Sequence, residues 1–392
     1  MEARFRDKTG FFSSAQPLIG PVRGETGIDG LRLDFNDGLR FEVPEGDFHV
    51  RISDADSEMV FFDDDVSAVR LQSMEKFYVH WQLDVYYGGA LAFSHVFDPM
   101  GQKVFFVDCS TALGDSLVVL PYLRAFRERY GAEVSCHLPE YLYGFAQRLL
   151  PGIEWRETWP EDCYATFYFG AAIDAPALSP EDGRLVPMEE LGHLLFGVPR
   201  PRQRLIWPAG KKQITEPYVC IGVQASHPAK GWHYPGGWET IVAALRKAGY
   251  RVLCIDRERE NEANGFVARM PDCAEDFTGN RPIEERAELR SHADFFIGLG
   301  SGLSWLAHFV GCPVVLICGF SESWYEFDTP YRVYNRLACH GCLNDVREPY
   351  FQNPCPRQPH GSDKILECQK TITPRMVLDA IWRLQQDQEK TL

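Results

Sequence analysis

The sequence predicts an α/β protein with two doubly wound, parallel-sheet domains facing a cleft, preceded by a small β domain. Three observations carry this reading. Short apolar strands alternate with helical stretches from residue 103 onward, which is the pattern of βαβ units. The alternation comes in two series, separated by a polar link with six prolines between Pro176 and Pro208. Residues 1–98 lack it and instead set runs of β-formers between acidic clusters. A chain of 392 residues has room for two or three domains.

In the N-terminal part, LRLDF, FHVRI, MVFF and FYVHWQLDVYY read as strands, and Asp54–Glu58 and Asp63–Asp65 as acidic turns. Alternation from Phe77 to Trp81 supports an antiparallel β domain over 1–98, suited to acceptor docking or self-association. The first α/β domain, 99–208, opens on a buried strand at Val104–Val107 and a helix at LVVLPYLRAFRERY. A strand at Glu133–His137, a helix at EYLYGFAQRLL and a strand at Thr166–Phe169 follow. The second, 209–392, places strands at Tyr218–Val223, Arg251–Ile255, Asp294–Ile297 and Val314–Cys318, with a helix at GWETIVAALRKAGY. It also includes a Cys-rich segment, 336–370, and a C-terminal helix.

Composition narrows the class. Apolar residues make up 45% and charged residues 24%, which excludes a disordered or fibrous chain. A formal net charge of −15 opposes general nucleic-acid binding, although one local pocket can still be positive. Phe295–Phe320 carries no Asp, Glu, Lys or Arg and is long enough to span a bilayer. Interruptions at Gly298, Gly300, Gly302, Gly311 and Pro313 fit strand–loop–helix–strand better than a membrane helix. The first twenty residues have no apolar core of secretory length. The expectation is a soluble, cytoplasmic protein without a membrane span. Of twelve cysteines, eight are spread singly, several within apolar strands where Cys acts as a small hydrophobe.

Three strand-end loops carry the chemistry, because functional groups of open α/β sheets sit beyond the carboxyl ends of strands. In the first, Gly114 permits a tight turn and Asp115 opens the helix. The spacing alone favours an N-capping Asp over a general base projecting into the cleft. In the second, Lys230 is the one Lys or Arg between Lys212 and Arg246. A lone Lys at a cleft suits a phosphate, and a solvated surface Lys fits the composition equally well. Trp232 and Trp238 read as packing residues. The third loop, Gly298-Leu-Gly300-Ser301-Gly302-Leu303-Ser304, offers helix-start amides with no Cβ to obstruct a diphosphate. Its spacing fits neither the dinucleotide fingerprint nor the Walker loop.

Cys339-His-Gly-Cys342, Cys355 and Cys368 form a metal-ligand pattern. Four thiolates in a tetrahedron suit zinc or a single iron, and with no open position the site is expected to be structural.

Leu113-Gly114-Asp115 ahead of LVVLP, Lys230-Gly231-Trp232, and Ser301–Ser304 before VGCPVVLICG resemble the bacterial heptosyltransferase family of GT-B glycosyltransferases over residues 103–335. With the N-terminal β region and the four cysteines, the chain resembles over nearly its full length the autotransporter heptosyltransferases. That resemblance implies an inverting protein O-heptosyltransferase. It would move heptose from ADP-glycero-manno-heptose to serines of adhesin passenger domains in the cytoplasm. It also implies a ring-like homo-oligomer, dodecameric in that group, with one Fe3+ per chain on the four cysteines and zinc as the alternative.

By the same resemblance Asp115 is the base, and Lys230 with Ser301-Gly302-Leu303 clamps the diphosphate. Glu260 is a ribose-binding acid on a loose match. Thr111, Leu113, Gly114, Ser226, Trp232, Gly300, Ser304 and Trp305 complete the substrate contacts. Two positions depart from the wider family: Gly300 stands where Asp is usual, and Trp305 where His is usual, with His308 a possible substitute. No Asp-x-Asp clamp sits at a strand end of the α/β portion, so a catalytic divalent metal is not expected. The rivals are a lipopolysaccharide-core heptosyltransferase and, from another class, a non-catalytic metal-finger assembly module.

Overall fold

Residues 20–170, 176–202, 204–350 and 353–391 are described by a computed structural model of the chain. The N-terminal stretch read as lacking an export signal, and Phe351 and Gln352 of the Cys-rich segment, lie outside them.

Seven strands come first: β1 (Arg32–Asn36), β2 (Arg40–Val43), β3 (Phe48–Asp54), β4 (Val60–Val66), β5 (Val69–Gln72), β6 (Trp81–Tyr87) and β7 (Ala90–Val96). They divide between two sheets. β4-β3-β6-β7 form an antiparallel four-stranded sheet, whereas β1, β2 and β5 extend the sheet of the first α/β unit. β1 runs parallel to a strand about 130 residues later, with Phe35 opposite Ala165. The boundary expected near residue 98 therefore does not separate one sheet from another. Buried ion pairs brace the N-terminal strands that reach this junction. Arg40 donates from Nε and Nη2 to the two carboxylate oxygens of Asp34, at 2.7 Å each, and Lys76 lies 3.4 Å from Asp37.

Asp63–Asp65, expected as a turn, belongs to β4. The strand is an exposed sheet edge, where charge blocks pairing with other chains. Arg51 and His49 on β3 bond to Asp63 at 2.7 Å each, and His49 also reaches Asp65 at 2.8 Å.

The first α/β unit contains β8 (Lys103–Asp108), α1 (Leu113–Tyr130), β9 (Glu133–His137), α2 (Tyr143–Leu149), β10 (Glu154–Trp155), β11 (Ala165–Phe169) and α3 (Leu191–Phe196). Its sheet runs β10-β9-β8-β11-β1-β2-β5. The second unit follows the proline-rich link. It comprises β12 (Tyr218–Ile221), α4 (Gly237–Lys247), β13 (Arg251–Cys254), the hairpin β14 (Glu260–Ala263) and β15 (Phe266–Arg269), and β16 (Glu275–Asp276). α5 (Ile283–Ser291), β17 (Phe296–Leu299), α6 (Gly302–Phe309), β18 (Val314–Ile317), β19 (Arg332–Val333), α7 (Glu367–Lys370) and α8 (Pro374–Thr391) complete it. Its sheet is parallel throughout, in the order β16-β13-β12-β17-β18-β19. The uncharged stretch 295–320 folds as β17, α6 and β18, and among the described residues no helix is long and apolar enough to cross a membrane.

The two units are joined by packing as well as by chain. One apolar core runs from Phe41 and Trp81 through Phe106 and Leu120 to Trp305 and Leu316. Its crossing point is the contact between α1 and α6. A Cβ on Gly302 would stand 2.7 Å from the Cβ of Leu113, and one on Gly114 would stand 3.1 Å from the Trp305 ring. Glycine at 302 is thus required by close approach of the two helix starts.

Candidate active site

The loops after β8, β12, β13, β17 and β18 meet in a cleft of about 980 Å3 between the two units. Asp115 lies on its α1 wall. Ala112 is the N-cap and contributes no side-chain bond, so Asp115 sits at the third helical position rather than at the cap. There its charge is favoured by the helix dipole, and the Ser110 hydroxyl donates to Oδ2 at 3.2 Å.

Behind it lies Asp108, buried at the end of β8. It accepts from the Ser116 hydroxyl at 2.5 Å and from the Ser110 amide at 2.8 Å. Burial pushes its carboxyl up to about 7, with the Asp115 charge adding to the effect. The buried acid therefore tends to hold a proton while the acid on the cleft wall faces the ligand space.

On the opposite wall, Lys230 lies in the cleft with its ammonium 5.4 Å from the Phe320 ring centre. Its loop is held from two sides. Asp256, at the end of β13, accepts the amides of Val223 and Gln224 at 2.7 and 3.3 Å, and burial pushes its carboxyl up to about 6. Gln369 donates to the carbonyl of Ala229 at 2.6 Å. Next to Lys230, the first turn of α6 presents Gly302 and Leu303, and the first amides of a helix have no intrahelical partner. Arg290, fully buried on α5, donates to the Leu303 carbonyl at 3.0 Å and places a fixed cation beneath this turn.

Thr111, Leu113, Gly114, Asp115, Ser226, Lys230, Gly300, Ser301, Gly302, Leu303 and Trp305 all line the cleft. Three other expected contacts do not. The Ser304 hydroxyl turns inward to the Leu299 carbonyl at 2.5 Å. Trp232 is buried against Trp238 and donates to the Ile372 carbonyl at 2.8 Å. Glu260 lies on β14 and pairs with Arg269 at 2.5 Å, while its neighbour Asn261 reaches the cleft. Gly300 and Gly302 are crowded by Phe320 and Leu113, so their missing Cβ atoms make room for protein rather than for a ligand. His308 lines a separate pocket of about 390 Å3, stacked on Phe327 and 3.6 Å from Glu189.

Sequence reasoning missed Asp256, Arg257, Tyr325 and Glu326, all on the cleft. The strand-end rule reaches Asp256 and Arg257, which directly follow the RVLCI strand. Tyr325 and Glu326 come eight and nine residues after β18, beyond the reach of that rule.

The four cysteines converge without closing on a metal-ligand geometry. Cys339 and Cys368 are hydrogen-bonded thiol to thiol, with Cys342 and Cys355 close enough for their charges to be felt. The Cys342 thiol instead donates to the Phe320 carbonyl at 3.6 Å. Among the described residues no group of three or more His, Cys, Asp or Glu is arranged to hold a metal ion, so the expected discrete finger is not confirmed there. The donor set itself, four thiols of which three are buried, suits iron or zinc.

Comparison with known proteins adds to this geometry. A profile described as glycosyltransferase TibC, N-terminal domain, matches residues 27–89. A second, glycosyltransferase family 9 (heptosyltransferase), matches residues 202–356. The chain is 37% identical to the autotransporter heptosyltransferase BAHTCr of Citrobacter rodentium, covering 95% of this chain and 94% of that one. It is 34% identical to BimC of Burkholderia thailandensis, an inactive autotransporter heptosyltransferase, covering 89% and 84%. Among solved structures, the dodecameric iron-containing heptosyltransferase TibC in complex with ADP-D-β-D-heptose superposes with a TM-score of 0.87. That match is at 34% identity and covers 94% of this chain and 98% of that one.

Proposed function

Since the chain belongs to the autotransporter heptosyltransferase family, we propose that its cleft transfers heptose from ADP-heptose to serine hydroxyls of an autotransporter adhesin passenger domain. The family includes an inactive member at similar identity, so membership alone does not carry the reading. The observation that carries it is the shared cleft: Asp115 on one wall, Lys230 and the α6 start on the other. A lipopolysaccharide-core role is disfavoured by the match of residues 27–89 to the TibC N-terminal domain.

The reaction is an inverting single displacement. The serine oxygen attacks the anomeric carbon while Asp115 takes its proton, and the bond from that carbon to the β-phosphate oxygen breaks. ADP leaves with the bonding electron pair. A positioned base of this kind supplies about 10²–10⁴ in rate. The Lys230 ammonium and the amides of Gly302 and Leu303 stabilise the charge growing on the diphosphate. Serine-bearing protein is the acceptor, and the chain works as a dodecamer, as TibC does. The reaction takes place in the cytoplasm, where thiols such as these twelve stay reduced. Iron would be held by Cys339, Cys342, Cys355 and Cys368, once the Cys342 thiol rotates away from Phe320. Bound there, it would cross-link the segment structurally.

Intact mass of a co-expressed passenger fragment tests the reading. Increments of one heptose on serines are expected with the wild type, and none with Asp115→Asn, while calorimetry shows ADP still bound. Lys230→Ala should weaken ADP binding and turnover together. A passenger fragment left unmodified by the wild type, or modified at the normal rate by Asp115→Asn, contradicts the assignment.

A further inference from the structure

We propose that Glu326 reads the hydroxyls of the donor's sugar; the proposal rests on the cleft being the ADP-heptose site. Glu326 is 6% exposed, yet it lines the cleft. Its Oε2 accepts from the Trp305 indole at 2.9 Å, and its Oε1 accepts from the Ser321 hydroxyl at 3.3 Å. The Cys318 thiol is 4.0 Å from Oε1. Among the described residues no ion pair joins it to a Lys, Arg or His. Burying a carboxylate without a countercharge is costly. An ionised carboxylate accepts at about four lone-pair positions, so two hydrogen bonds and a weak thiol contact leave one position, on Oε2.

Gly300 makes room for the carboxylate. A Cβ at position 300 would stand 2.8 Å from Oε1, so the absence of a side chain leaves this oxygen in place beside the Ser301-Gly302 turn. The order of strands then assigns the occupant. Lys230 follows β12 and Ser301 follows β17, which are neighbours in the sheet. Arg257 and Asn261 lie beyond β13 on one side, and Glu326 lies beyond β18 on the other. A diphosphate at the centre places the two ends of the donor on opposite sides.

The sugar must lie on the side of the base. A Cβ on Gly114, next to Asp115, would stand 3.1 Å from the same indole ring that holds Glu326. The sugar is therefore bracketed by Asp115 and Glu326. An acceptor-only group suits a polyhydroxyl ligand, whose hydroxyls donate, and repels a phosphate. Trp305 fixes the carboxylate and is itself braced edge-on by Phe327 at 4.9 Å between ring centres.

Calorimetry with ADP and with ADP-heptose on the full chain tests this. For Glu326→Gln, isosteric and still able to accept from Trp305, the dissociation constant for ADP should stay within about twofold while that for ADP-heptose rises tenfold or more. Glu326→Asp, which keeps the charge but withdraws it from Gly300, should show the same split if the glutamine variant fails to fold. Equal changes for both ligands, or none for either, would overturn the proposal. A wild type that binds ADP no differently from ADP-heptose, and leaves the passenger unmodified, would instead remove the donor assignment on which the proposal stands.

Discussion

Asp108 and Asp115 belong to the same strand–loop–helix turn, and the environment of each decides its chemistry. Asp108 sits in the fold with its carboxyl pushed up to about 7, above the ordinary 3.8. Between those values the folded chain holds a proton that the unfolded chain has lost. Stability therefore falls as pH rises through this window, by up to about 1.4 kcal/mol per pH unit. Asp108→Asn removes the titration, so its stability relative to the wild type should increase from pH 5 to pH 8. Urea melts at the two pH values decide this, and parallel behaviour of variant and wild type would show that Asp108 does not titrate there. The residues legible in the sequence share one property: Asp115, Lys230 and Ser301–Leu303 lie within a few residues of a strand end or helix start. Ser304 and Trp232 fall in the same loops but face inward, because a helical turn or a tight loop alternates its directions faster than a motif can specify. Glu326 was not legible, since the loop after β18 contains three acids, and only tertiary packing against Trp305 and Gly300 distinguishes it.

At the scale of elements, the α1–α6 contact couples stability to chemistry. Both helix starts carry site groups, and they approach closely because position 302 has no side chain. Gly302→Ala would place a methyl 2.7 Å from the Leu113 Cβ and 3.3 Å from the Gly114 backbone nitrogen. Overpacking of this kind costs about 1–3 kcal/mol, and displacement of Asp115 from the α6 turn should lower transfer at least tenfold. Leu113→Ala in the same chain should restore part of both losses, since residues in contact couple in a double-mutant cycle. Additive effects on melting temperature and turnover would mean that the helices do not meet there. Alternating strands and helices made the two α/β units readable, because each element depends on local pattern. The division of the N-terminal strands between two sheets was not readable, because β1 finds its partner β11 far along the chain, where Asn36 bonds to the Cys163 carbonyl and to Thr166.

In the whole molecule, the Cys-rich segment connects parts that are otherwise distant. Leu343 donates its amide to the Phe320 carbonyl at 2.9 Å, beneath the ring that faces Lys230. Asn344 donates to the Arg184 carbonyl in the inter-unit link at 2.5 Å. Gln369, adjacent to Cys368, holds the Ala229 carbonyl just before Lys230. The segment contributes few apolar side chains to the core, chiefly Leu343, Tyr350, Ile365 and Leu366, so a metal on its four thiols would be a main source of its rigidity. Binding energy at such a site acts as folding energy. Replacing any one of Cys339, Cys342, Cys355 or Cys368 by Ser should therefore lose the metal, raise proteolytic sensitivity across 336–370, and weaken ADP binding through the Lys230 loop. Elemental analysis, limited proteolysis and calorimetry on one preparation test all three. If the wild type contains less than about a tenth of an equivalent of any transition metal and is still folded and active, the metal site is excluded, and hydrogen bonds alone hold the segment against the cleft.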